Sequence, residues 1–275
     1  MPAKNQPPFT PKVKTSELNS EKTRKEKPML QEIIKIARDC GKIIKNASDK
    51  NVKTKNNDFK NLVTDYDVKI QEILKERLTA LLPEASFLGE EGQSAYSKDG
   101  YCFICDPIDG TTNFVKNYQW SCISIALMKD GQPFLGIIYN PFLDELYHAE
   151  KNKGAFCNNK PIHTGSDPIE NVLVAFGTGS YDIAKTWKLA AKYYDASLDI
   201  RRSGSGALDL CNVAAGRTGI FWELKLQPWD FAAGALVVTE AGGQIKNENG
   251  DDVSDYFAQQ SIFALSHRNI PIFSV

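Results

Sequence analysis

The chain has 275 residues, 42% of them hydrophobic and 24% charged, with a formal net charge of −1. This balance predicts an ordinary soluble protein, large enough for one extended domain or two packed halves sharing a core. No apolar run reaches the roughly 18 residues of a membrane span and the N-terminus lacks the apolar stretch of a secretory signal, so a cytoplasmic protein with no membrane partner is expected.

The charge is unevenly spread. Residues 1–30 carry seven Lys/Arg and three Asp/Glu, a balance of +4 that leaves −5 for the remainder. Several prolines, few apolar residues and no periodicity predict a disordered basic tail over residues 1–28. A nucleic-acid arm is the alternative, disfavoured because its lysines are dispersed and not interleaved with aromatics. From Leu30 a helical period sets in, with Ile33, Ile34, Ala37, Cys40, Gly41 and Ile44 on one stripe. A polar loop, K-T-K-N-N-D-F-K-N, leads to a second helix carrying Ile70, Ile73, Leu74, Leu78 and Leu81, with Thr64 as its N-cap and Pro83 beyond its end.

Strand patterns follow: A-S-F-L-G, Y-C-F-I-C-D, and three segments between Trp120 and Lys151 separated by D-G-Q-P and N-P-F-L-D turn signals, as in an antiparallel meander. Cys102 and Cys105 form a C-x-x-C, but on a strand positions three apart face opposite ways, so buried thiols are expected, not a redox or zinc pair. The other cysteines, at 40, 122, 157 and 211, read likewise as small hydrophobes in a reducing compartment. After V-L-V-A-F-G the chain alternates helix and strand: a helix around Ile183 to Tyr194, S-L-D-I-R-R, a helix from Gly206 to Gly216, G-I-F-W-E-L, and F-A-A-G-A-L-V-V-T-E-A stopped by Gly242-Gly243. The expectation is an α+β or α/β fold, with an N-terminal α+β half over 29–165 and a C-terminal α/β half over 166–275.

The residues for chemistry sit where strands end. Leu88-Gly89-Glu90-Glu91-Gly92 closes one strand with acids and Ile104-Cys105-Asp106 the next. If the two are neighbours, Glu90, Asp106 and Asp109 gather at one sheet edge, where like charges repel unless a cation lies between them. Oxygen-only donors point to Mg²⁺ or Mn²⁺ over zinc. In C-D-P-I-D-G-T-T-N-F, Pro107 stiffens a turn between the aspartates, the Ile108 carbonyl is a further hard donor, and Gly110-Thr111-Thr112 offers backbone N–H groups at a helix start to a phosphate. A plain surface turn remains the competing reading of D-P-I-D-G. Asp230, in P-W-D-F-A-A-G, opens a helix as a ligand or as an N-cap, and Asp67 completes T-D-Y-D either as a capping box or as a catalytic acid.

With Glu90-Glu91, D-P-I-D-G-T-T-N-F and P-W-D-F-A-A-G in this order, the chain from Leu30 onward resembles the inositol monophosphatase family, most closely its bacterial-type inositol-1-monophosphatase branch. The resemblance implies a five-layered αβαβα sandwich, two or three Mg²⁺ per site (Mn²⁺ possible), lithium sensitivity, a homodimer, and hydrolysis of a small phosphate ester by a metal-activated water. It implies Glu90, Asp106, Ile108 (carbonyl), Asp109 and Asp230 as metal ligands, and Thr111 with Asp67 as the pair that polarises the water. Asp109, Gly110, Thr111 and Asp230 would also contact the substrate, Gly204-Ser205-Gly206 its sugar, and Glu223, seven residues before Asp230, its ring hydroxyls. The family's active-site lysine matches Lys55, with Lys53 as the alternative. Inositol 1-phosphate is the substrate this implies; fructose 1,6-bisphosphate, NADP, histidinol phosphate, or a regulatory RNA- or protein-binding role remain open.

Overall fold

A computed structural model describes residues 15–55, 57–92, 95–179 and 182–274, with side chains from residue 29 onward. Helix α1 (Thr15–Lys45) begins earlier than its apolar stripe does. The expected disordered tail lies, over residues 1–14, outside the described residues. The loop read as wholly polar contains a small antiparallel hairpin, β1 (Lys53–Thr54) with β2 (Leu62–Val63). Helix α2 (Asp65–Leu81) starts at Thr64, whose backbone N–H donates to Asp67 Oδ2 at 2.7 Å.

A seven-stranded sheet follows in the order β3 (Ser86–Gly89), β4 (Tyr101–Asp109), β5 (Cys122–Lys129), β6 (Gln132–Asn140), β7 (Glu145–Glu150), β8 (Ala155–Cys157), β9 (Lys160–Ile162). The expected meander is present from β5 to β7, and within this sheet, among the described residues, β3 and β4 alone pair parallel. The short helix α3 (Thr111–Val115) leaves the end of β4. The second sheet is mixed, in the order β11 (Asp199–Arg201), β10 (Leu173–Phe176), β12 (Ile220–Leu226), β14 (Gln260–Leu265), β13 (Gln244–Lys246). Helices α4 (Ile183–Ala196), α5 (Gly206–Ala214) and α6 (Pro228–Glu240) complete the chain.

Three apolar clusters order these elements into five layers. The first joins Ile33, Ala37, Cys40 and Ile44 of α1 and Ile70, Leu74 and Leu78 of α2 to one face of the large sheet. The second joins its other face, through Cys102, Ile104, Ala126 and Tyr147, to α5 and α6 and on to Phe221, Ile262 and Ala264 of the second sheet. The third packs α4, through Leu189, Ala190 and Tyr193, on the far face of that sheet around Trp222. The architecture is therefore αβαβα. Helix α6 lies between two sheets, which explains why F-A-A-G-A-L-V-V is apolar all round. It comes so close to β6 that a Cβ on Gly136 would stand 2.6 Å from the Ala233 carbonyl oxygen.

Cys102 faces the middle cluster and Cys105 the outer one, on opposite faces of β4, and all six cysteines are free. Among the described residues no helix is long and apolar enough to cross a membrane.

Candidate active site

Strands β3 and β4 run parallel with Gly89 opposite Cys105, so Glu90, just past the end of β3, lies beside Asp106 of β4. Pro107 does not sit in a turn as expected. It lies within β4, where Asp106 pairs with Ser124 and Asp109 with Cys122, so three steps along β4 match two along β5. Proline donates no ladder hydrogen bond, which makes it suited to this bulge. The extra residue also undoes the strand alternation that would send Asp106 and Asp109 to opposite faces.

Asp106, Asp109 and Asp230 converge, with ligand oxygens within 4.8 Å of one another. Each is held by backbone on one side: Asp106 Oδ1 accepts from Ile108 N at 2.9 Å, Asp109 Oδ2 from Ala207 N at 2.9 Å, and Asp230 Oδ2 from Gln227 N at 2.8 Å. The last bond shows Asp230 to be the third residue of α6, in a capping box with Gln227, and not the N-cap itself. Ser205 Oγ and Cys122 Sγ also donate to Asp109 Oδ2. Burial pushes all three carboxyls up from the ordinary aspartate range; the neighbouring acids add to this at Asp106 and Asp230, and the donors around Asp109 offset part of it there. Two buried aspartates and the half-buried Asp230 form a site that a hard divalent ion fits in charge, donor type and spacing.

Glu90 stands beside this trio and engages Lys55 at 2.7 Å; the same ammonium reaches Glu91 at 2.5 Å. Burial alone would lower the Lys55 pKa, but the two glutamates hold it above the usual lysine value. Lys53 instead meets exposed Asp65 at 3.0 Å, away from both glutamates. Thr111 Oγ1 lies 3.1 Å from both Asp67 Oδ1 and the Ile108 carbonyl oxygen. Asp67 forms the capping box, with Oδ2 accepting from the Thr64 backbone and hydroxyl, and its Oδ1 accepts from Thr111 Oγ1. Gly110 caps α3 with φ of 85°, and a Cβ there would stand 2.9 Å from the Trp120 carbonyl oxygen, so this bend requires glycine.

Next to the trio a cavity of about 190 Å³ is lined by Asp109, Asp230, Gly204, Ser205, Gly206 and Glu223. The Glu223 carboxylate occupies space that only a glycine leaves at 177, since a Cβ there would stand 1.8 Å from Glu223 Oε2. Thr178, Arg202 and Asp209 share this wall and were not singled out from the sequence. The available signal was Asp209, an acid inside the apolar run G-A-L-D-L-C.

A profile of the Inositol monophosphatase family matches residues 25–270. Inositol monophosphatase 2 of Solanum lycopersicum is 36% identical over 231 residues, covering 80% of this chain and 87% of that protein. Nus factor SuhB of Vibrio cholerae is 33% identical over 254 residues, covering 88% and 93%. The crystal structure of the extragenic suppressor protein suhB from Bartonella henselae superimposes with a TM-score of 0.79 at 34% identity, covering 86% of this chain and 93% of that one.

Proposed function

Because the chain belongs to the inositol monophosphatase family, we propose that it is a metal-dependent phosphomonoesterase that hydrolyses inositol 1-phosphate to inositol and phosphate. The observation that carries this reading is the convergence of Asp106, Asp109 and Asp230 beside a cavity walled by Glu223. Two or three Mg²⁺, with Mn²⁺ as the substitute, held by Glu90, Asp106, the Ile108 carbonyl, Asp109 and Asp230, would supply positive charge to the phosphate oxygens and acidify the attacking water.

The chain's own groups do the rest. The N–H groups after Gly110 bind the phosphate at the bend into α3. Thr111 Oγ1 accepts a hydrogen bond from the attacking water, and as it takes the water's proton its own passes to the Asp67 carboxylate that it already donates to. Lys55 holds Glu90 and Glu91 in place. Across the cavity Glu223 accepts hydroxyl protons of the ring, while Gly204, Ser205 and Gly206 bound its edge. The protein acts as a homodimer in this reading, which light scattering would check.

A larger ester is the second reading, favoured by a groove of about 990 Å³ at the mouth. Phe59 lies 77% exposed there, beside Lys60, Lys116, Arg202 and Lys225, and Arg202 and Thr178 join the groove to the inner cavity. Such a surface fits a second phosphate or a base, as in fructose 1,6-bisphosphate or NADP. The relative named Nus factor SuhB adds a regulatory role as a third reading. Phosphate release from a panel of esters with Mg²⁺, repeated with lithium, is the test. Inositol 1-phosphate should give the highest kcat/KM; a far higher value for fructose 1,6-bisphosphate, NADP or histidinol phosphate would transfer the assignment, and no release from any ester would reject the enzyme.

A further inference from the structure

Asp109 is the ligand candidate most heavily supported from outside its own strand, and that support comes from the loop entering α5. Ser205 Oγ and Ala207 N both donate to Asp109 Oδ2. Ser205 owes its position to the residues around it. Its N–H donates to Ser203 Oγ at 3.2 Å, and Ser203 Oγ in turn donates to Asp209 Oδ2 at 2.7 Å. Asp209 closes the circle through its backbone, since its N–H donates to the Ser205 carbonyl at 3.1 Å. From the other side Asn113 Nδ2 donates to the Ser203 carbonyl at 2.9 Å and to the Trp120 carbonyl at 2.8 Å, tying this loop to α3. Between them Gly204, at φ of 86°, brings its carbonyl to within 3.2 Å of where a Cβ on Gly110 would be.

The loop is thus a clamp with two jaws, one on Asp109 and one on Gly110, and its pin is the Ser203–Asp209 bond. Asp209 is 2% exposed, on an otherwise apolar helix face. A buried acid there serves neither the core nor the surface: leucine would pack better, and a lone carboxyl costs free energy unless its hydrogen bonds are made. Burial pushes its pKa up to about 8, with Asp109 and Glu223 adding to the rise and Ser203 opposing it. An asparagine there would keep the shape and an oxygen that accepts from Ser203.

The geometry points to Asp209 as a positioning residue for the reaction proposed above: through Ser203 it orders residues 203–205, so that Ser205 holds Asp109 in the orientation that a divalent cation requires. The inference rests on the reading of Asp109 as a metal ligand. It assigns Asp209 no contact with the cation, and its sharpest consequence is on cation affinity, not on folding. Outer supporting groups of this kind change metal affinity by about 10- to 100-fold when removed.

The test is calorimetric titration of Mg²⁺, and of Mn²⁺ alone, into the full-length protein stripped with chelator, well below its melting temperature. Asp209→Ala and Ser203→Ala should each weaken binding about tenfold or more, and the double variant should be no worse than the weaker single one, because both cut the same bond. Asp209→Asn, which keeps an acceptor for Ser203, should stay within about threefold of the parent. A variant that had merely lost stability would show a lower melting temperature with an unchanged dissociation constant. That outcome for Asp209→Ala overturns the positioning role. Additive losses in the double variant overturn the shared bond. Failure of the unmodified protein to bind either ion overturns the metal reading itself, and with it this inference, which separates the two failures.

Discussion

Replacing Asp109 by Asn should make the cation-free protein more stable while removing its activity. The three ligand oxygens of Asp106, Asp109 and Asp230 lie within 4.8 Å of one another. At an effective dielectric of about 20, two unit charges at that separation repel by about 3 to 4 kcal/mol. Asp109 takes part in two of the three pairs. Protonation limits the strain, because keeping one carboxyl neutral at about pH 7.5 against an ordinary pKa of 3.8 costs about 5 kcal/mol. The relief expected from Asn is therefore bounded, and about 2 to 4 kcal/mol is a consistent figure. Asn Oδ1 can still accept from Ser205, Ala207 and Cys122, so the fold is retained. In chelator the variant should melt about 5 to 10 °C above the parent, Mg²⁺ should stabilise the parent but hardly the variant, and turnover should fall at least about 100-fold. Differential scanning calorimetry with and without Mg²⁺, paired with a phosphate-release assay, measures all three. A variant that melts at or below the parent in chelator, yet responds normally to Mg²⁺, would refute the argument that these acids form one strained cation site.

Other consequences concern the walls of the site and the core. Glu223→Gln keeps the shape of the cavity but withdraws the charged acceptor, so KM for inositol 1-phosphate should rise about tenfold with kcat little changed; an equal loss on every ester in the panel would contradict its role in ring recognition. His148 is 7% exposed, stacks on Phe156 and leaves Nε2 without a partner, and burial lowers its pKa while Asn159 opposes the shift. A depressed histidine contributes stability above its unfolded pKa of about 6.5 and loses it as pH falls. His148→Phe should accordingly reduce the drop in melting temperature between about pH 7.5 and 5.5, and an unchanged drop would argue against the buried neutral ring. Gly136→Val drives a side chain into the Ala233 carbonyl of α6 and should cost about 3 kcal/mol in urea unfolding; a neutral result would mean that the helix and sheet can part without loss.

Much of the scaffold was legible because it is written in local periodicity. The stripe from Ile33 to Ile44, the capping box at Thr64, the β5–β6–β7 meander and the apolar run Phe231 to Val238 of α6 are each properties of a short window. The strands that escaped, β1, β2, β8, β9, β13 and β14, are short or lie after the last recognised pattern, and their pairing depends on partners elsewhere in the chain, as when β14 inserts between β12 and β13. Pro107 shows a different limit. D-P-I-D-G reads locally as a turn, and only the opposite strand, by skipping a residue at Ser124 to Cys122, turns it into a bulge.

The sequence by itself determined the candidates for chemistry, since acids that close apolar strands or open an apolar helix stand next to residues destined for burial. Tertiary structure decided which of them meet. Parallel pairing of β3 with β4 sets Glu90 beside Asp106, α6, packed on the large sheet, carries Asp230 to Asp109, and Lys55, not Lys53, reaches the glutamates. Ser203 and Asp209 gain a role only through the loop they close over Asp109. The reason is physical: helical periodicity and capping bonds are local, whereas charge repulsion, burial and the bond from Ser205 to Asp109 act through space between residues well separated along the chain.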